Sequence, residues 1–191
     1  MGCSASGLGP SGTDQLHEYI DKHTELWTML SVNLGVSEEQ CKQVALRVAV
    51  DIAKQHPAGS PIVMKLRAHE EGKNKRRTED LSISSSEFER FNSEMNTPQG
   101  YLLFFHRTIF ESFDIDNNKV LDRYELDRFL ETYYSSSSIF AADARLPPKD
   151  QLKRLIYESL DKNSDGLLAF DEIRPFIAGK VKFDDTDDRS T

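Results

Sequence analysis

Twelve residues near the C-terminus constrain this chain more than anything else in it. Asp161-Lys-Asn163-Ser-Asp165-Gly166-Leu167-Leu168-Ala169-Phe-Asp-Glu172 places side-chain oxygens at positions 1, 3, 5 and 12, with glycine at position 6. Alternate residues of a tight loop point toward one centre, and a terminal glutamate offers that centre two oxygens. Position 6 needs a backbone turn that side chains resist, so glycine fits there. Leu155, Ile156 and Leu160 precede the loop at helical spacing, and Ile173, Phe176 and Ile177 follow it.

An all-oxygen set of this kind suits calcium, which takes roughly six to eight oxygen ligands from carboxylates, carbonyls and water. The expected ligands are Asp161, Asn163, Asp165, the Leu167 carbonyl and Glu172. Ala169 at position 9 has no side-chain oxygen, so a water is expected there. Leu168 at position 8 is the apolar residue expected to pair with a second loop.

That second loop lies upstream, 47 residues earlier. Asp114-Ile-Asp116-Asn-Asn118-Lys119-Val120-Leu121-Asp122-Arg-Tyr-Glu125 has Asp114, Asp116, Asn118, the Val120 carbonyl and Glu125 in register. Asp122 at position 9 is expected to reach the ion through water. Lys119 replaces the glycine. A left-handed lysine costs about 1–2 kcal/mol, which weakens binding roughly tenfold if the strain is confined to the bound loop. Two ions are expected. Both loops end in glutamate, which favours calcium over magnesium. The segments Val120-Leu121-Asp122 and Leu167-Leu168-Ala169 are expected to meet as short strands.

With these loops and their flanking helices, residues 99–181 resemble an EF-hand calcium-binding protein. The long interval between the loops is similar to that in recoverin-like and calcineurin-B-like sensors and in the acylated flagellar calcium-binding proteins of kinetoplastid protozoa. The resemblance implies an all-α fold: a paired EF-hand lobe over residues 99–181 and an N-terminal helical lobe over residues 14–98. Ile83-Ser-Ser-Ser-Glu87-Phe88 repeats the end of both loops, and is read as a degenerate hand whose first position, Arg76, repels a cation. The alternative is an unrelated helix start.

Further helices are expected over residues 14–30, from the Ser37–Gln40 capping box to before Pro57, over residues 99–113, and around Leu126, Phe129, Leu130 and Tyr133. Residues 1–13 are Gly/Ser-rich and expected to be flexible. Residues 65–77 carry a basic run read chiefly as a solvated loop, residues 134–148 form a linker, and residues 182–191 form an acidic, disordered tail.

Met1-Gly2-Cys3-Ser4-Ala5-Ser6 fits a myristoylation motif on Gly2, with Cys3 as a palmitoylation candidate. One acyl chain binds membrane marginally, whereas two anchor stably. The formal charge of −8 argues against nucleic acid. The two cysteines, Cys3 and Cys41, make no disulfide framework or zinc spacing. No apolar run is long enough to span a bilayer, and no secretory signal stands at the start. The expected setting is cytoplasmic with membrane association, at a flagellar or plasma membrane.

Gly7-Leu-Gly9-Pro-Ser-Gly12 follows no strand, so a dinucleotide reading fails. The five histidines form no catalytic spacing, and no enzyme is expected. The resulting expectation is a membrane-tethered calcium sensor acting on a protein partner. The alternatives are a calcium buffer and a constitutive regulatory subunit of an enzyme. None of the four Met lies between 99 and 181, which leans against a promiscuous, Met-rich binding groove.

Overall fold

The computed structural model describes residues 10–55, 81–135 and 147–181. Among these residues the chain is predominantly helical. The order is α1 (Gly12–Lys22), α2 (Thr24–Leu34), α3 (Glu38–Lys54), α4 (Ser85–Met95), α5 (Pro98–Phe113), β1 (Val120–Leu121), α6 (Arg123–Ser135), α7 (Lys149–Leu160), β2 (Leu168–Ala169) and α8 (Phe170–Ile177). The basic run at residues 65–77, most of the serine-containing linker, the acidic tail, Gly2 and Cys3 lie outside the described residues.

The helix starts follow from local chemistry. Ser11, Ser37 and Ser84 each cap a helix through a reciprocal box with Asp14, Gln40 and Glu87, satisfying backbone donors that the first turn leaves unpaired. Thr97 caps α5 and Pro98 occupies its first turn, where the missing proline N–H costs nothing.

Two expectations at the N-terminal end are corrected. The helix expected over residues 14–30 is two helices broken at His23, whose backbone leaves the helical region. Trp27 straddles the break, its indole N–H donating to the Ile20 carbonyl at 2.6 Å. The segment expected to be flexible through residue 13 is ordered from its last residues, because α1 begins at Gly12. Gly12 is buried, and a Cβ there would lie 2.1 Å from the Ser84 carbonyl oxygen. Thr13 extends this docking: its hydroxyl accepts from the Ile83 N–H at 2.9 Å and donates to the Ile83 carbonyl at 3.3 Å. Periodicity missed the helix start because glycine and serine read as loop, while here they are cap and contact.

The buried side chains form one continuous apolar cluster that runs from Leu16 to Ile177. The boundary expected between residues 98 and 99 therefore falls in the first turn of α5 without interrupting the core. Trp27, Phe91 and Phe104 fill the N-terminal part of it; Phe113, Phe129 and Phe176 fill the part beneath the two loops. Cys41 is a buried core thiol, pushed up to about 11 by burial, which removes its nucleophilic form at neutral pH. No helix among the described residues is long and apolar enough to cross a membrane.

Candidate metal centre

Helices α5 and α6 flank the loop from Asp114 to Glu125, and α7 and α8 flank the loop from Asp161 to Glu172. The strands β1 and β2 join the two loops antiparallel, with Val120 opposite Ala169 and Leu121 opposite Leu168. The two position-8 leucines thus face each other as expected, and both are fully buried.

The backbone bonds that hold positions 1, 5 and 12 are the same in the two loops. In the first, Asp114 accepts the backbone N–H groups of Asn118 and Lys119, each at 2.9 Å. In the second, Asp161 accepts those of Asp165 at 3.2 Å and Gly166 at 2.9 Å. Glu125 takes the Ile115 N–H on one oxygen at 2.7 Å and the Asp122 N–H on the other at 3.1 Å. Glu172 does the same with Lys162 at 3.1 Å and Ala169 at 2.9 Å. Asn118 and Asp165 each accept the N–H two residues on, from Val120 at 2.9 Å and Leu167 at 2.8 Å. Backbone donors thus hold residues 1, 5 and 12 of each loop, and the remaining oxygen lone pairs are free to serve a cation.

The backbone repeats as well. Position 4 is left-handed in both loops, at Asn117 (φ 58°) and Ser164 (φ 56°). Position 6 is left-handed at Lys119 (φ 70°) and Gly166 (φ 77°). Lysine therefore adopts the turn that glycine adopts in the second loop, at the steric cost a Cβ brings.

The loops differ in burial and charge. Asp114 and Glu125 are each only 3% exposed, whereas Asp161 and Glu172 are half-buried. Asp114, Asp116 and Glu125 bring carboxylate oxygens within 4.8 Å of one another, and no other group of this kind occurs among the described residues. The second loop has the amide of Asn163 in place of a third close carboxylate; Asn163 donates to Asp165 at 2.7 Å. Burial pushes the Asp114 carboxyl above the usual carboxylate range, and the nearby Glu125 charge adds to this against the two backbone donors. Taking a carboxylate from water costs several kcal/mol unless it is paired, so two buried carboxylates in one loop form an oxygen-only seat suited to a hard cation.

Asp122 serves partly as a cap: its Oδ1 accepts the N–H groups of Tyr124 and Glu125, each at 2.8 Å, and so starts α6. Spacing alone shows an acid at position 9 and cannot distinguish a cap from a ligand.

The upstream signature resolves less. Glu87 accepts the Ser84 N–H at 2.7 Å, matching the bond that closes both loops. Yet Ser37 and Gln40 make the same bond at 3.0 Å at a helix start with no loop signature, so a plain helix start explains Glu87 equally well. Arg76 lies outside the described residues. No family model matches the chain, and no curated protein or solved structure is matched either.

Proposed function

We propose that the chain is an EF-hand protein that takes up two calcium ions and acts as a membrane-tethered sensor on a protein partner. The observation that carries the reading is the equivalence of the two loops. Both turn the oxygens of positions 1, 5 and 12 through the same backbone bonds, and the strand pair couples them. Asp114, Asp116, Asn118, the Val120 carbonyl and Glu125 would hold one ion, and Asp161, Asn163, Asp165, the Leu167 carbonyl and Glu172 the other. Oxygen donors without nitrogen or sulfur suit calcium rather than a softer metal. Ion uptake would then shift the helices that leave the loops, α6 and α8, and expose apolar surface to a partner. Gly2 and Cys3 support the tether, through two acyl chains.

Calorimetric titration of the full chain with calcium tests the metal reading. Two ions per chain are expected, with uptake retained in excess magnesium. Enhanced binding of an apolar dye on loading separates a sensor from a buffer, which would load without it. The pH dependence has a definite sign. Proton and calcium compete for Asp114, and its raised pKa lets the proton compete at a higher pH than an ordinary aspartate allows. First-loop affinity is therefore expected to fall on acidification, starting at a higher pH than an ordinary aspartate would set, read in a Glu172→Gln background. The intact mass of the protein from its native cell is expected to exceed that of the unmodified chain by a myristoyl group, with or without a palmitoyl group. An unmodified mass would sink the tether and leave the metal sites untouched.

A further inference from the structure

Lys119 occupies a left-handed position that the second loop fills with glycine, and the rest of the fold meets its side chain. Its Nζ lies 3.2 Å from Glu111 Oε2 and 3.9 Å from Asp51 Oδ2. Glu111 stands on α5, three residues before Asp114, and its side chain is only 1% exposed. Asp51 comes from α3, in the N-terminal half. Arg107 joins the two acids from below, 3.0 Å from Asp51 and 3.2 Å from Glu111. Two carboxylates and two cations thus alternate across the seam between α3, α5 and the first loop.

A buried carboxylate holds a nearby ammonium more firmly than an exposed one does, because water screens the pair less. The Lys119 side chain itself is 46% exposed, and seating its ammonium at the far end of the side chain narrows the positions open to the Cα. We propose that Glu111 and Asp51 are positioning residues for the first metal loop: by seating the Lys119 ammonium they hold position 6 in the left-handed turn that Gly166 adopts unaided. The proposal rests on the calcium reading above. It gives Lys119 a role opposite to the one Coulomb's law alone assigns. A lysine beside a cation site should only repel the cation, so its removal should tighten binding. A lysine that holds the turn should, when its charge alone is removed, loosen binding.

The full chain carrying Glu172→Gln, so that the first loop alone loads, is titrated with calcium chloride by calorimetry. In that background Lys119→Met keeps the Cβ and its strain but loses the ion pair, and is expected to weaken calcium uptake roughly tenfold, the size of the left-handed strain. Lys119→Gly removes strain and ion pair together and is expected to stay within about threefold of the parent. Glu111→Gln is expected to weaken uptake several-fold with lysine at position 119 and to have little effect with glycine there. Asp51→Asn, at the more accessible end, is expected to act in the same direction as Glu111→Gln. Circular dichroism melts in chelator confirm that each variant folds.

Equal or tighter binding by Lys119→Met overturns the proposal, leaving the lysine as a simple repulsive charge. An unchanged Glu111→Gln effect in the Lys119→Gly protein also overturns it, because Glu111 would then act by its own field. If the parent with an intact first loop takes up no calcium, the metal reading itself fails, and the titration shows that before any variant is compared.

Discussion

Glu125→Gln is expected to weaken calcium uptake at the first loop by at least about a hundredfold, the equivalent of roughly 2.7 kcal/mol. The substitution keeps the shape of the side chain and removes its charge. It also replaces an oxygen with an amide nitrogen where two backbone donors already converge: Ile115 N–H on one side and Asp122 N–H on the other. One of these donors then faces an NH₂ group with no lone pair to offer. Because Glu125 is 3% exposed, water cannot easily step in, and the unsatisfied donor adds its own cost. Glu172→Gln should disable the second loop by the same logic, through Lys162 and Ala169. Each single variant should still load one ion in calorimetry. The Leu121–Leu168 pairing means that the surviving loop should also weaken, by a smaller factor, as coupled sites do. If the double variant takes up calcium as the unaltered chain does, the assignment of both loops is wrong.

How far this site was legible in the sequence can be judged residue by residue. The strand contact and the facing leucines follow from spacing, because two twelve-residue repeats in the same register bring their eighth positions together. The left-handed turn at Lys119 was legible too, as a conflict between residue type and template. What spacing could not show is how that conflict is met. Glu111 and Asp51 stand on α5 and α3, and Asp51 lies far from the loop in sequence. Only packing α3 against α5 brings them beside Lys119. A buried glutamate on a helix otherwise rich in phenylalanine was a possible signal, since a charge on a core face needs a partner. The break at His23 was illegible for another reason. Leu16, Ile20, Leu26, Trp27 and Leu30 keep an approximate helical period across it, so apolar pattern alone reads one helix. Gly12 failed in the opposite sense, because composition marks it as linker and only the Ser84 carbonyl beside it shows why nothing larger fits.

The largest stability effect should come from beneath the loops rather than within them. Phe129→Ala is expected to destabilise the fold by about 3–5 kcal/mol, the usual cost of deleting a fully buried aromatic ring. Phe129 is 0% exposed. Its ring meets Phe113 edge-on at 5.2 Å, Phe176 at 6.1 Å and Tyr133 at 6.2 Å. Phe113 is the last residue of the helix entering the first loop, and Phe176 lies on the helix leaving the second. The ring therefore ties the entry to one loop to the exit from the other, and its loss should loosen both. Against a net stability on the order of 5–15 kcal/mol for a domain, the variant should melt well below the wild type in chelator. On the proposed reading calcium would bind only the folded loops, and it should then return about 2.7 kcal/mol per site at a hundredfold excess over Kd. Two sites would then offset most or all of the lost packing. The expected result, followed by circular dichroism, is a variant that melts early in chelator and that saturating calcium brings back to about the midpoint of the wild type in chelator. A variant that calcium fails to stabilise would mean that the loops lose their ions together with the ring, and that the packing beneath the loops is coupled to ion uptake.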